Sequence, residues 1–208
     1  MKKVILSIAV LSFLLVFIAG SAMAGSVYVD LVPGKWDIDF PASSSSGDAN
    51  GVIVGVEHFF NESFKGGFEY SSYKCKESGD DYDYTGFDIN GGYLFNECFT
   101  FVAGYHSHEL DITNGVKLKA TGLILGANAD FSINKKSKIN TSIAFSVNGN
   151  AEFAGADADA NILMAKIKYM YALNDQWDLS AGYRYTSYDI DKLDLKINGL
   201  SLGAAYKF

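Results

Sequence analysis

The sequence predicts an all-β protein: a closed antiparallel up-and-down barrel of about ten strands, with eight as the alternative count. Three observations predict it. Apolar and polar residues alternate with period two over long runs, one turn motif recurs at near-constant spacing, and aromatic residues collect beside that turn.

The turn motif appears as Phe60-Asn61-Glu62-Ser63-Phe64, Phe95-Asn96-Glu97-Cys98-Phe99 and Leu173-Asn174-Asp175-Gln176-Trp177, with a looser copy from Ile133 to Ile139. Its asparagines, at 61, 96, 134 and 174, are 35, 38 and 40 residues apart. A unit reused at that spacing is a supersecondary element, here a β-hairpin closed by a short polar turn.

The runs follow in order. Residues 26–40 form the first, interrupted by Pro33-Gly34, a pair tolerated only at a strand edge or bulge. Residues 50–60 and 64–74 flank the first Asn turn, and 85–95 and 99–112 flank the second. Residues 116–131 and 138–150 flank the looser copy. From Ile139 one face reads Ile139, Thr141, Ile143, Phe145, Val147 and the other Asn140, Ser142, Ala144, Ser146, Asn148. Residues 160–173 and 177–190 flank the last turn, with Trp177, Leu179, Ala181, Tyr183 and Tyr185 opposed by Asp178, Ser180, Gly182, Arg184 and Thr186. Residues 197–208 close the count. Segments 41–49, 75–84, 153–159 and 191–196 are polar and read as loops at the far end, with a tight turn near Thr113-Asn114-Gly115.

Ahead of these runs lies an export segment. Lys2 and Lys3 precede the apolar stretch Val4 to Gly20, and Ala22-Met23-Ala24 fits a signal peptidase, so cleavage is expected between Ala24 and Gly25. Residues 1–24 are therefore expected to be removed, leaving one domain from 25 to 208. The segment carries two of the 17 basic residues and none of the 24 acidic ones, so the rest balances 15 against 24, a net charge of −9. Such an acidic chain excludes a nucleic-acid partner.

Strand length decides between a soluble sandwich and a membrane barrel. The runs reach about 10 to 16 residues, against roughly 5–6 in globular sheets and about 9–11 for a tilted strand crossing a bilayer. The aromatics Phe59, Phe60, Phe64, Tyr93, Phe95, Phe99, Phe101, Tyr169, Tyr171 and Trp177 sit at the run ends, where an interfacial girdle belongs. At the C-terminus Leu200, Leu202, Ala204, Tyr206 and Phe208 alternate with Ser201, Gly203, Ala205 and Lys207. This ending resembles the signal by which the barrel assembly machinery recognises its clients. The whole chain resembles small bacterial outer-membrane barrels of the OmpA-domain, OmpX and OmpW kind. The resemblance implies the fold and an outer-membrane location, with lipid and lipopolysaccharide as surroundings, and gives no catalytic residue to carry over; no cofactor or metal is expected.

With the apolar faces toward lipid, the lumen receives Glu57, Lys65, Glu69, Asp88, Asn90, His106, His108, Asp130, Lys166, Lys168, Asp178, Arg184 and Lys207. Charges shielded from water must pair, so these residues predict a polar plug or a narrow solute path. The His106/His108 pair shares one face, but no third ligand stands nearby for a metal. Asp157, Asp159 and Asn161 imitate the start of a calcium loop, yet Ile162 and Lys168 stand where its glycine and glutamate belong. Cys75 and Cys98 fall at opposite ends of their strands, too far apart for a disulfide. The expectation is an integral outer-membrane protein with a structural or interaction role or narrow solute passage. The alternatives are a lipid-modifying barrel enzyme and an adhesin.

Overall fold

The computed structural model describes residues 24–40, 43–77, 80–112, 116–153, 156–191 and 193–208. The export segment, apart from Ala24, and the Thr113–Gly115 turn lie outside them. The strands are β1 (Gly25–Phe40), β2 (Ser43–Phe59), β3 (Phe64–Glu77), β4 (Asp80–Leu94), β5 (Phe99–Ile112), β6 (Val116–Asn134), β7 (Ser137–Phe153), β8 (Ala156–Ala172), β9 (Trp177–Ile190) and β10 (Leu193–Lys207). Each pairs antiparallel with its sequence neighbours, and β1 pairs with β10 to close a ten-stranded barrel. Gly25 and Phe208 exchange backbone hydrogen bonds of 3.0 Å at the seam. Closure leaves no strand edge to recruit another chain.

The repeated asparagine explains the repeated turn. Asn61 Oδ1 accepts hydrogen bonds from the backbone N–H of Ser63 and Phe64 at 2.8 and 2.9 Å. Asn96 does the same for Cys98 and Phe99, and Asn174 for Gln176 and Trp177. Asn134 holds Lys136 N–H at 2.9 Å. The side chain substitutes for a backbone acceptor and fixes a reversal that the strands alone would leave floppy. Asn174→Ala is expected to cost about 1 kcal/mol in urea unfolding of the lipid-folded barrel, because two net hydrogen bonds of modest value are lost. A midpoint unchanged from wild type would mean that strand pairing alone sets this turn.

The strands run longer than expected. Residues 43–49, 75–77, 80–84, 156–159 and 193–196, read above as loops, are paired strand. Their polar composition suggested loops, but polar residues serve well on a strand that water bathes, once its backbone groups are paired across the sheet. At 14 to 19 residues each, the strands exceed the ~9–11 needed to cross a bilayer. The surplus rises as a collar opposite the end that carries Gly25, Phe208 and the Asn turns. The Asn-turn end is the periplasmic one, since short turns face the periplasm in bacterial barrels.

Side-chain polarity inverts along each strand where the collar begins. On β10, Leu200 and Leu202 point outward, 61% and 56% exposed, while Leu193, Leu195 and Ile197 point inward and are buried. On β1, Val29 and Leu31 face out, whereas Val32, Trp36 and Ile38 are buried inside. Low on the wall the outer face meets lipid and must be apolar. High on the wall it meets water, so the apolar residues turn inward and pack against one another. The inward set, including Ile53, Tyr73, Tyr84, Leu110, Leu118, Ile162, Tyr188 and Ile190, forms one continuous core filling the outer half of the lumen.

Two local features adjust this pattern. A register shift between Phe145 and Gly149 against β8 places Asn148 at φ 53°, exposed, and turns Gly149 inward. Asn148 therefore leaves the inward face expected for it. Such a bulge switches the facing of every residue beyond it, and Ala151 is buried as a result. Phe59 also departs from expectation. Most of the predicted girdle is exposed toward lipid, but Phe59 lies on the inward parity with the Lys65 amine 5.7 Å from its ring centroid.

Candidate functional site in the barrel lumen

Beneath the apolar core, the inner wall carries ionised groups from nearly every strand. Asp30, on β1, is 1% exposed and sits between the Lys168 amine, in contact through Oδ2, and the Arg184 guanidinium at 3.7 Å. Arg184 also grips Glu69 across the lumen, Nη1 reaching Oε2 at 3.2 Å and Nη2 contacting Oε1. The Tyr28 hydroxyl donates to Glu69 Oε2 at 2.6 Å, and the Lys168 amine lies 5.2 Å from the Tyr28 ring centroid. Five groups from β1, β3, β8 and β9 thus form one buried cluster. A fork-shaped cation binding two carboxylates is the geometry in which buried charges are compensated rather than merely adjacent.

The other expected lumen residues also sit on the inward parity. Lys65 donates to Glu57 at 3.1 Å, and Lys207 to Asp178 at 2.8 Å. Asp130 accepts from Asn140 at 3.0 Å with Lys138 at 3.8 Å. Asp88 Oδ1 lies 3.1 Å from His108 Nε2, while His108 Nδ1 meets the Tyr188 hydroxyl at 2.5 Å and Tyr188 meets Tyr84 at 2.6 Å. His106 is 0% exposed and packs on His108 with ring centroids 5.1 Å apart. Among the described residues no group of three or more His, Cys, Asp or Glu side chains is arranged to hold a metal. Asp157 and Asp159 are exposed on β8 rather than gathered into a loop. Cys75 is buried in the outer core, and Cys98 lies in the second Asn turn; both are free thiols.

Asp30, Tyr28, Tyr84 and Tyr188 were absent from the sequence expectation. Asp30 was obscured by Pro33-Gly34, which made the first run look interrupted. In fact the β1–β10 ladder skips Val32 and Pro33 and resumes in unchanged register, from Leu31↔Leu202 to Gly34↔Gly199. Parity carried from Val29 and Leu31 was the signal that would have placed Asp30 inside. Tyr28 shares the parity of Asp30, whereas Tyr84 and Tyr188 belong to the outer core, where polarity inverts and only a change of phase such as that between Leu31 and Trp36 foretells the inward turn.

Within the network lies a cavity of about 110 Å³, lined by Glu57, Glu69, Asp88, Lys166 and Arg184 with both polar and apolar neighbours, among them Asn128, Ser142, Ile53 and Ile124. Above it lies the apolar core of the outer half of the lumen. Below it Glu57, Asp130 and Lys207 keep about a third of their side-chain surface exposed, which opens this half toward the periplasm.

A closed ten-stranded barrel with a lipid-facing apolar band, an interfacial aromatic girdle and a charged lumen defines an integral protein of the bacterial outer membrane. The chain belongs to the outer membrane protein beta-barrel domain family, which matches residues 71–208. Among solved structures it is similar to the outer membrane protease OmpT from Escherichia coli, at 9% identity and a TM-score of 0.58, covering 89% of this chain and 96% of that one. Neisserial surface protein A aligns at 16% identity and a TM-score of 0.40, covering 89% of this chain and 99% of that one. Ail of Yersinia pestis aligns at 11% identity and a TM-score of 0.39, covering 88% and 99% respectively. At these identities the likeness concerns the fold. No curated protein matches the chain in sequence.

Proposed function

We propose that this protein is a non-enzymatic outer-membrane barrel closed to solutes, acting in a structural or interaction role through the collar it raises above the bilayer. The observation that carries this reading is the apolar core across the outer half of the lumen, where Trp36, Ile53, Tyr73, Leu118, Ile162, Tyr188 and Leu195 are buried and packed into one cluster. A conducting barrel would need a continuous wet path, and close-packed side chains exclude one. This disfavours the narrow-passage alternative. Export after cleavage at Ala24, assembly through the Leu200–Phe208 ending and a lipopolysaccharide annulus belong to the same proposal.

Reconstituted in planar bilayers, the wild-type barrel is expected to show no current steps. The triple variant Trp36→Ala, Tyr73→Ala, Tyr188→Ala, which hollows the core, is expected to conduct. Steady conductance or sugar-permeable vesicles from the wild type would overturn the closed reading.

A further inference from the structure

We propose that the cavity beneath the apolar core is a binding site for a small zwitterion, such as a free amino acid, entering from the periplasm. The argument is one of charge balance. Lys65, Lys168, Arg184 and Lys207 each hold a carboxylate at 3.1 Å or closer. Lys166 does not: its nearest carboxylate is Glu69 at 4.0 Å, and Glu69 is already occupied by Arg184 and by the Tyr28 hydroxyl. Lys166 is therefore the lumen cation with the weakest compensation. Among the carboxylates the matching case is Asp88, whose only polar contact among the described residues is His108 at 3.1 Å. That imidazole is shared, since its other ring nitrogen meets the Tyr188 hydroxyl.

Lys166 and Asp88 line the same cavity from opposite sides of the barrel, β8 and β4. Neighbouring polar groups extend each pole. Asn128, Ser142 and Lys166 are partners on successive strands β6, β7 and β8, all facing inward. Their amide, hydroxyl and ammonium groups form a row of donors suited to a carboxylate. Asn90, two residues from Asp88 on the same face, adds an amide acceptor suited to an ammonium group. A ligand carrying one charge of each sign would serve both poles at once, whereas a simple anion would leave Asp88 with His108 alone and a simple cation would leave Lys166 with the shared Glu69 alone. The cavity, about 110 Å³, has room for several waters or a molecule the size of a small amino acid. Because the outer half of the lumen is filled, entry is from the periplasmic side; only this direction rests on the closed reading above.

The test titrates the full-length, detergent-folded barrel with glycine, acetate and methylammonium by calorimetry, checking the folded state of each sample by its unboiled mobility on gels. The expected result is saturable one-to-one binding of glycine, with acetate and methylammonium each weaker by about tenfold or more, the worth of one charge-assisted hydrogen bond. Lys166→Gln and Asp88→Asn are expected to weaken glycine by a similar factor. Acetate binding as tightly as glycine would overturn the proposal in favour of an anion site. Absence of saturable glycine binding would overturn it in favour of a water-filled plug. The three-ligand comparison needs no variant, so it stands even where one fails to fold. Conductance is measured separately, so a failed zwitterion site and a failed closed lumen give different results.

Discussion

Arg184→Leu is expected to destabilise the folded barrel by about 3–5 kcal/mol, the cost of removing one partner from a buried ion cluster and leaving its counter-charges stranded. Among the described residues, the guanidinium is the only group paired with both Asp30 and Glu69. Without it Glu69 keeps Tyr28 and a distant Lys166, and Asp30 keeps Lys168 alone. Reversible urea unfolding in lipid vesicles, followed by tryptophan fluorescence, measures the loss. Adding Glu69→Gln to Arg184→Leu is expected to recover part of the deficit, because one stranded carboxylate becomes neutral. The comparison that decides the point is Lys35→Ala. Lys35 and Asp48 make a 2.6 Å ion pair, but their side chains are 67% and 65% exposed on the collar, where water competes for both charges. No measurable change is expected there. If Arg184→Leu behaved like Lys35→Ala, the lumen would be wet enough to screen its charges, and the network would be decoration on a solvated channel.

That contrast also shows which parts of the molecule were legible beforehand. Facing and strand number followed from period-two alternation and from Asn61, Asn96, Asn134 and Asn174, because both signals are local: one residue's parity, one side chain's reach. The lumen charges Glu69, Lys168 and Arg184 could be placed inside by parity, but not matched to one another. Arg184 finds Glu69 across the barrel, 115 positions away in sequence, and such a pairing depends on closure rather than on neighbours. The collar was misread because Ser43–Ser46 and Glu77–Asp83 have loop composition, and composition reports the solvent around a strand rather than its pairing. The apolar core escaped for a related reason. A uniform rule, apolar out and polar in, holds only where lipid surrounds the wall. Leu193, Leu195 and Ile197 obey the opposite rule a few residues from Leu200 and Leu202, since above the membrane the barrel behaves as a water-soluble one and must bury its apolar side chains within itself.

The inversion gives the collar a core of its own, and Trp36 is the place to test it. Trp36 is 2% exposed, stands edge-on to Tyr82 with ring centroids 5.1 Å apart, and donates its indole N–H to the Lys76 carbonyl at 3.3 Å. Gly47 beside it has no alternative: a Cβ there would lie 1.7 Å from the Lys76 carbonyl oxygen and 2.9 Å from the indole nitrogen. Trp36→Ala removes the largest ring of the outer lumen from a site whose walls are strands, which relax little, so a loss of about 3–5 kcal/mol is expected. Amide exchange should locate the damage. Protection is expected to fall around Ile38, Ala49 and Leu195 in the collar, while Asp30, Glu69 and Lys168 below remain protected by their own ion cluster. Loss of protection throughout would mean that collar and lumen melt as one unit. A stability within about 0.5 kcal/mol of wild type, the scale of an ordinary surface substitution, would mean that the outer lumen is not a packed core, and with it the physical ground for a closed barrel would go.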